Sequence, residues 1–183
     1  MNTPARKKQQ KNKNKPITKA SHGINTGDAM VGLLGEEERI DTNVMSDAIN
    51  LASRIQGLNK IYHTTMLVSD ETYESLDNHS QFYFRILDKV RVKGRTHPTY
   101  LYEILPALPA NEENTRKIQL QTFKQAFAQY EQSHFAKAAK LFADYVQTNP
   151  DDKPAKIMQA RCEKFVKEGV PHDWDGTYTL LKK

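Results

Sequence analysis

Apolar positions along the chain change spacing several times, and each change marks an element. From Gly23 to Gly35 the glycines Gly27, Gly32 and Gly35 punctuate a short apolar run, Met30 to Leu34, which reads as a turn followed by a strand. The segment "EEERIDTNV" reads as a hairpin or loop leading into Val44 and Met45. Ser46 is an N-cap candidate with Asp47 in the first turn behind it. At about 100° per residue, Ala48, Leu51, Ala52, Ile55 and Leu58 then share one helix face, and Asp47, Asn50, Arg54 and Gly57 share the opposite one. "TTMLVSD" is short and apolar and reads as a buried strand, after which Ser69 caps a short helix through Leu76. Phe82, Phe84 and Ile86 alternate, followed by Val90 and Val92. Across the "KGR" turn Tyr100, Tyr102 and Ile104 alternate again, which predicts an antiparallel hairpin with those residues facing a core.

The pattern shifts at residues 106–115, a proline-bearing linker. Beyond it Phe123, Phe127, Tyr130, Phe135, Ala138, Ala139, Phe142 and Val146 recur at spacings of three and four, which predicts helices. "NPDDKP" breaks them and 155–167 is a further helix. Ala138, Phe142 and Pro150 fit one tetratricopeptide-like repeat over 116–168, with an irregular end at 169–183. One repeat cannot bury its own face, so these helices must pack on the preceding domain or on a partner.

Composition narrows the function classes. The 183 residues are 38% hydrophobic and 27% charged, and no apolar run approaches the roughly 20 residues that span a bilayer. The lone Cys162 excludes an internal disulfide and fits a reducing, cytoplasmic setting. The net charge of +5 is local. Residues 1–22 hold seven Lys/Arg and no acid, leaving 20 basic against 22 acidic residues elsewhere. That segment reads as a disordered basic tail. Nucleic acid is not expected as its partner, because no aromatic residues interleave to stack bases. There is no P-loop, nucleophile elbow or HExxH, the histidines are scattered, and Glu36–Glu38 read as a solvated loop. Asn50, Arg54 and Lys93 remain, a combination that suits a polyphosphate if the three converge.

"GINTGDAMVGLLGEEERIDTNVMSDAINLASRI" and "VRVKGRTHPTYLYEIL" resemble the class III adenylate/guanylate cyclase catalytic domain, over its C-terminal half, about 23–105. The shared motifs are TGxxxxGxxG, NxxxR on a helix, and VKG. The region behind them, with its phenylalanine-rich repeat and "DWDG", is similar to the tail of multidomain bacterial members. The resemblance implies an α+β fold: part of a ferredoxin-like palm sheet with helices on one face, followed by a small α-helical hairpin or repeat. It implies that Asn50 orients the ribose of a purine nucleoside triphosphate and that Arg54 stabilises charge on the α-phosphate as the 3′-oxygen attacks. Lys93 would contact the terminal phosphates, Asn43 with Thr42 would read the base, and Gly27 would belong to the substrate-binding turn. Family members use Mg²⁺ or Mn²⁺ held by two aspartates upstream of the glycine turn, and those ligands are absent from this chain. The expectation is therefore a chain inactive alone, binding ATP or GTP weakly if at all, as a homodimer or paired with another cyclase chain. The alternative is a non-catalytic dimerisation or scaffolding module. Half a palm should leave sheet edges and an apolar helix face uncovered, predicting marginal stability or self-association.

Overall fold

The computed structural model describes residues 20–36, 39–92 and 97–179, with side chains described outside 33–45. Strands β1 (His22–Ile24), β2 (Met30–Glu36) and β3 (Arg39–Met45) precede helix α1 (Asp47–Tyr62). Strand β4 (Met66–Ser69) runs directly into α2 (Asp70–Glu74), and β5 (Tyr83–Arg91) and β6 (Thr99–Leu105) follow. Three helices, α3 (Glu113–Glu131), α4 (Phe135–Thr148) and α5 (Lys153–Glu168), lead to the two-residue strand β7 (Tyr178–Thr179). The main sheet has the order β1-β4-β6-β5-β7, while β2 and β3 form a separate antiparallel ribbon. β1 is parallel to β4 and β7 to β5; β6 is antiparallel to both of its neighbours. This is the mixed α+β class that the sequence implies.

Helix α1 forms where its cap and stripe predict. Ser46 Oγ accepts from Ala48 N at 2.9 Å, and His63 ends the helix in the left-handed region at φ 58°. Leu51, Ile55, Leu58 and Tyr62 are buried against β1 and β4, whereas Ala48 and Ala52 are only half-buried. The expectation of an uncovered apolar helix face is therefore corrected: the sheet and α5 close it. Asn59, also buried on this stripe, donates to His22 O at 2.9 Å and accepts from Thr64 Oγ1 at 2.8 Å, tying the helix to β1 and to the segment that leads into β4.

The β5–β6 hairpin forms, but its predicted core face is reversed over most of its length. A bulge at Leu87 shifts the register between Ile86↔Tyr102 and Asp88↔Leu101. Without it, Phe84, Ile86, Asp88 and Val90 would share one face. With it, Arg85, Leu87, Asp88, Val90 and Val92 turn inward together with Thr99, Leu101 and Glu103. Phe82 stays 46% exposed, and Phe84, Ile86, Tyr100, Tyr102 and Ile104 are half-buried. On that second face Tyr102 stacks on Tyr73 of α2 at 4.1 Å, and Tyr73 stacks on His79 at 4.2 Å. The aromatic alternation marks the half-open side because the inward side takes charges, and charges are normally read as solvent-facing.

Those inward charges have partners on the C-terminal helices. Arg85 pairs with Glu103 across the strands and with Asp152, the N-cap of α5, while its guanidinium stands 4.6 Å over the Phe123 ring of α3. Burial pushes the Glu103 carboxyl up; burial also works against the Arg85 charge, which Glu103 and Asp152 more than restore. Around this pair Phe123, Phe127, Tyr130, Phe142 and Met158 join Leu51, Ile55, Leu87 and Leu101 in one hydrophobic cluster. The helices thus pack on the sheet that precedes them.

Candidate nucleotide site

The site is built on α1 and the loop that grips its N-terminus. Asn25, just past β1, donates to Ala48 O at 3.2 Å and accepts from Ser69 Oγ at 2.6 Å. Thr26 Oγ1 meets Thr72 Oγ1 at 3.2 Å, and Ser46 Oγ donates to Asp28 O. The loop is therefore fastened to both α1 and α2. Gly27 lies within it, and a Cβ there would stand 2.9 Å from the Ala48 side chain. Its missing side chain lets the loop close on the helix. The polar "NT" inside the glycine turn was the sequence signal for this clamp, and pattern reading passed over it.

Asn50 and Arg54 are both exposed on α1, as are Asp47 and Gly57, while Leu51, Ile55 and Leu58 are buried on the other side. The stripe predicted to point away from the core does so. Thr42 and Asn43 lie on β3, in register with Leu33 and Gly32, and β3 leads through Ser46 directly into α1. Their side chains, and all of Lys93, lie outside the described residues. The structure thus puts Gly27, Asn50 and Arg54 on or against one helix and brings Thr42 and Asn43 to it along the chain.

At the other end of α1 lies a buried network. Tyr62 OH donates to Asp88 Oδ2, which also accepts from Arg161 Nη1 of α5. Arg161 further donates to Tyr62 OH and Tyr130 OH, each at 3.3 Å, and its guanidinium lies 3.6 Å from the Tyr178 ring centre. Burial and then the neighbouring Asp88 raise the Tyr62 phenol well above its usual range. Burial opposes the Arg161 charge, but Asp88 holds the guanidinium firmly protonated. In the sequence Arg161 is one charge in a polar helix, so only the fold reveals it.

Among the described residues no group of three or more His, Cys, Asp or Glu side chains is placed to hold a metal ion. No described helix is long and apolar enough to cross a membrane. A surface hollow of about 620 Å³ at the α3–α4 turn, lined in part by Ser133, His134 and Lys137, includes none of the α1 residues and is assigned no role.

The family model described as the adenylate and guanylate cyclase catalytic domain matches residues 5–104. The chain belongs to that family. The match begins within the basic segment read as a tail, and residues 5–19 of it lie outside the described residues. A protein of Dictyostelium discoideum named adenylate cyclase, terminal-differentiation specific, is 30% identical over 146 residues, 79% of this chain and 7% of its own length. An adenylate cyclase of Anabaena cylindrica is 39% identical over 83 residues, 45% of this chain and 16% of its own. Adenylate cyclase 1 of Rhizobium meliloti (strain 1021) is 35% identical over 95 residues, 52% and 14% respectively. The chain thus spans less than a fifth of each of these relatives. The crystal structure of the adenylyl cyclase CyaB from P. aeruginosa aligns with a TM-score of 0.39 at 29% identity, over 47% of this chain and 42% of that one.

Proposed function

We propose that this chain supplies the ribose- and phosphate-binding side of a purine nucleotide cyclase site, taking ATP in preference to GTP. The observation that carries this reading is the pair Asn50 and Arg54, exposed one turn apart on a helix whose opposite face is buried. Phosphoryl transfer asks little of a protein beyond positioning and charge stabilisation. The 3′-oxygen attacks the α-phosphorus, the bond to the β-phosphate oxygen breaks, and pyrophosphate leaves with a 3′,5′-cyclic monophosphate behind it. Arg54 offers two donors at fixed geometry to the charge that builds on the α-phosphate oxygens. Asn50 holds the ribose, Lys93 the terminal phosphates, and Asn43 with Thr42 the base edge. Preference for ATP is supported by the names of the relatives, all adenylate cyclases. Mg²⁺ or Mn²⁺, usual for class III members, would be held by carboxylates brought by a pairing cyclase chain.

A fluorescent ATP analogue titrated into the protein tests the reading. Arg54→Ala and Asn50→Ala are expected to weaken binding, with GTP competing less well than ATP. Where the mixture with a metal-bearing partner chain turns over in Mn²⁺, Arg54→Ala should lower the rate by on the order of 10² to 10³. Unchanged analogue binding in both variants would overturn the reading.

A further inference from the structure

We propose that Arg161 is a positioning residue for the nucleotide site: reaching from α5, it sets α1, and with it the Asn50–Arg54 stripe, against the strand that runs on to Lys93. The inference rests on the nucleotide-binding reading above and extends it to a helix outside the family match, which ends at residue 104.

Three observations carry it. Tyr62 is the last residue of α1 and is fully buried, and its hydroxyl is shared between Asp88 and Arg161. Asp88 sits just after the bulge in β5, a strand that ends at Arg91, two residues before Lys93. One guanidinium therefore bridges the foot of the site helix and the strand that precedes Lys93 in the chain. Arg161 is also over-determined: two hydroxyls, a carboxylate and the Tyr178 ring hold it from separate directions, and it is only 8% exposed. A lysine has one nitrogen and cannot span the same partners. The Dictyostelium match, over 146 residues, cannot be contained within residues 5–104, although its length alone does not require it to reach Arg161.

The helix converts a small shift at its foot into a larger one at the site. At about 1.5 Å per residue, Asn50 lies about 18 Å along the axis from Tyr62. A tilt of about 3° moves it by about 1 Å, a misplacement of the size that costs on the order of 10²-fold in a catalytic site.

The second charge network supplies a control for general destabilisation. Arg85, Glu103 and Asp152 also join sheet to tail through buried charge, and among the described residues their side-chain bonds run to one another, to Tyr145 and to Ala155 rather than to α1. The Asp88→Asn/Arg161→Gln double variant is compared with the Arg85→Gln/Glu103→Gln/Asp152→Asn triple variant. Two readings are taken: affinity for a fluorescent ATP analogue, and hydrogen exchange of residues 47–62 without nucleotide. The double variant is expected to bind the analogue roughly ten- to hundredfold more weakly and to exchange faster along α1. The triple variant should bind within about twofold of the unchanged protein. Equal losses in both, or no loss in either, would overturn the proposal. If the unchanged protein binds no analogue, the nucleotide reading fails by itself and α1 exchange decides the positioning role: faster in the double variant alone supports it, any other result refutes it. If the double variant does not fold, Arg161→Lys, which keeps the charge and loses the fork, takes its place under the same criteria.

Discussion

At Gly23 a methyl group would have nowhere to go. An added Cβ would stand 2.2 Å from Gln56 N and 2.4 Å from Ala52 O, both backbone atoms of α1, so no side chain can rotate away to make room. β1 lies this close to the helix because Gly23 lets it, and the parallel pairing of β1 with β4 then fixes the loop that holds the α1 N-terminus. Gly23→Ala should destabilise the protein at or above the upper end of about 1–3 kcal/mol, the range for overpacking. Gly57 is the contrast: it lies inside the same helix with open space around it. Gly57→Ala should stabilise by about 1 kcal/mol, because alanine loses less backbone entropy on becoming helical. Urea midpoints of the two variants, taken at equal slope, check both signs. Equal midpoints for Gly23→Ala and the unchanged protein would mean that β1 does not sit on α1 as described.

What was legible at the level of elements follows from which signals each element carries. α1 could be read from its cap and its stripe, and the exposed placement of Asn50 and Arg54 came with it, since both properties are local. The tail helices were legible for the same reason. The β5–β6 hairpin was legible too, but its inward face was not, because the alternation is broken by one bulged residue, Leu87, and because the core side carries Arg85 and Asp88. Periodicity assigns charges to solvent; their partners Asp152 and Arg161 are 67 and 73 residues further along the chain, beyond any window of pattern reading. Asp152 shows what such a partner does. It caps α5, with Oδ1 accepting from Ala155 N at 3.0 Å, and it also pairs with Arg85. Asp152→Ala removes both roles and leaves Glu103 as the one remaining described carboxylate paired with Arg85, so a loss of about 3 kcal/mol or more is expected. Asp152→Asn keeps an oxygen for the cap and should cost about 1 kcal/mol less. Thermal or urea unfolding of the pair separates the cap from the charge; identical losses would show that the cap contributes nothing.

Over the whole molecule, the boundary drawn by the sequence at the proline-bearing linker is not a boundary in the core. The inward side of β5 and β6 is closed by Phe123 and Phe127 of α3 and Met158 of α5, and the charges on that side find their partners in the same helices. Residues up to 105 taken alone would expose Leu87, Val90 and Leu101 to water and strip Asp88 of its guanidinium, losing both the apolar burial and the ion pair. Sheet and tail should therefore unfold together. The chain carries its own reporters for this. Trp174 is the only tryptophan, and it packs edge-on against Tyr130, Phe135 and Phe165, so its fluorescence follows the tail. Hydrogen exchange at α1 follows the sheet side. In a urea titration the two probes are expected to give one shared midpoint, and a chain ending at residue 105 is expected to show no cooperative transition. An earlier loss of Trp174 signal, with α1 protection persisting to higher urea, would instead make the tail an independent unit. It would also remove the mechanical link through which Arg161 is argued to act on the nucleotide site.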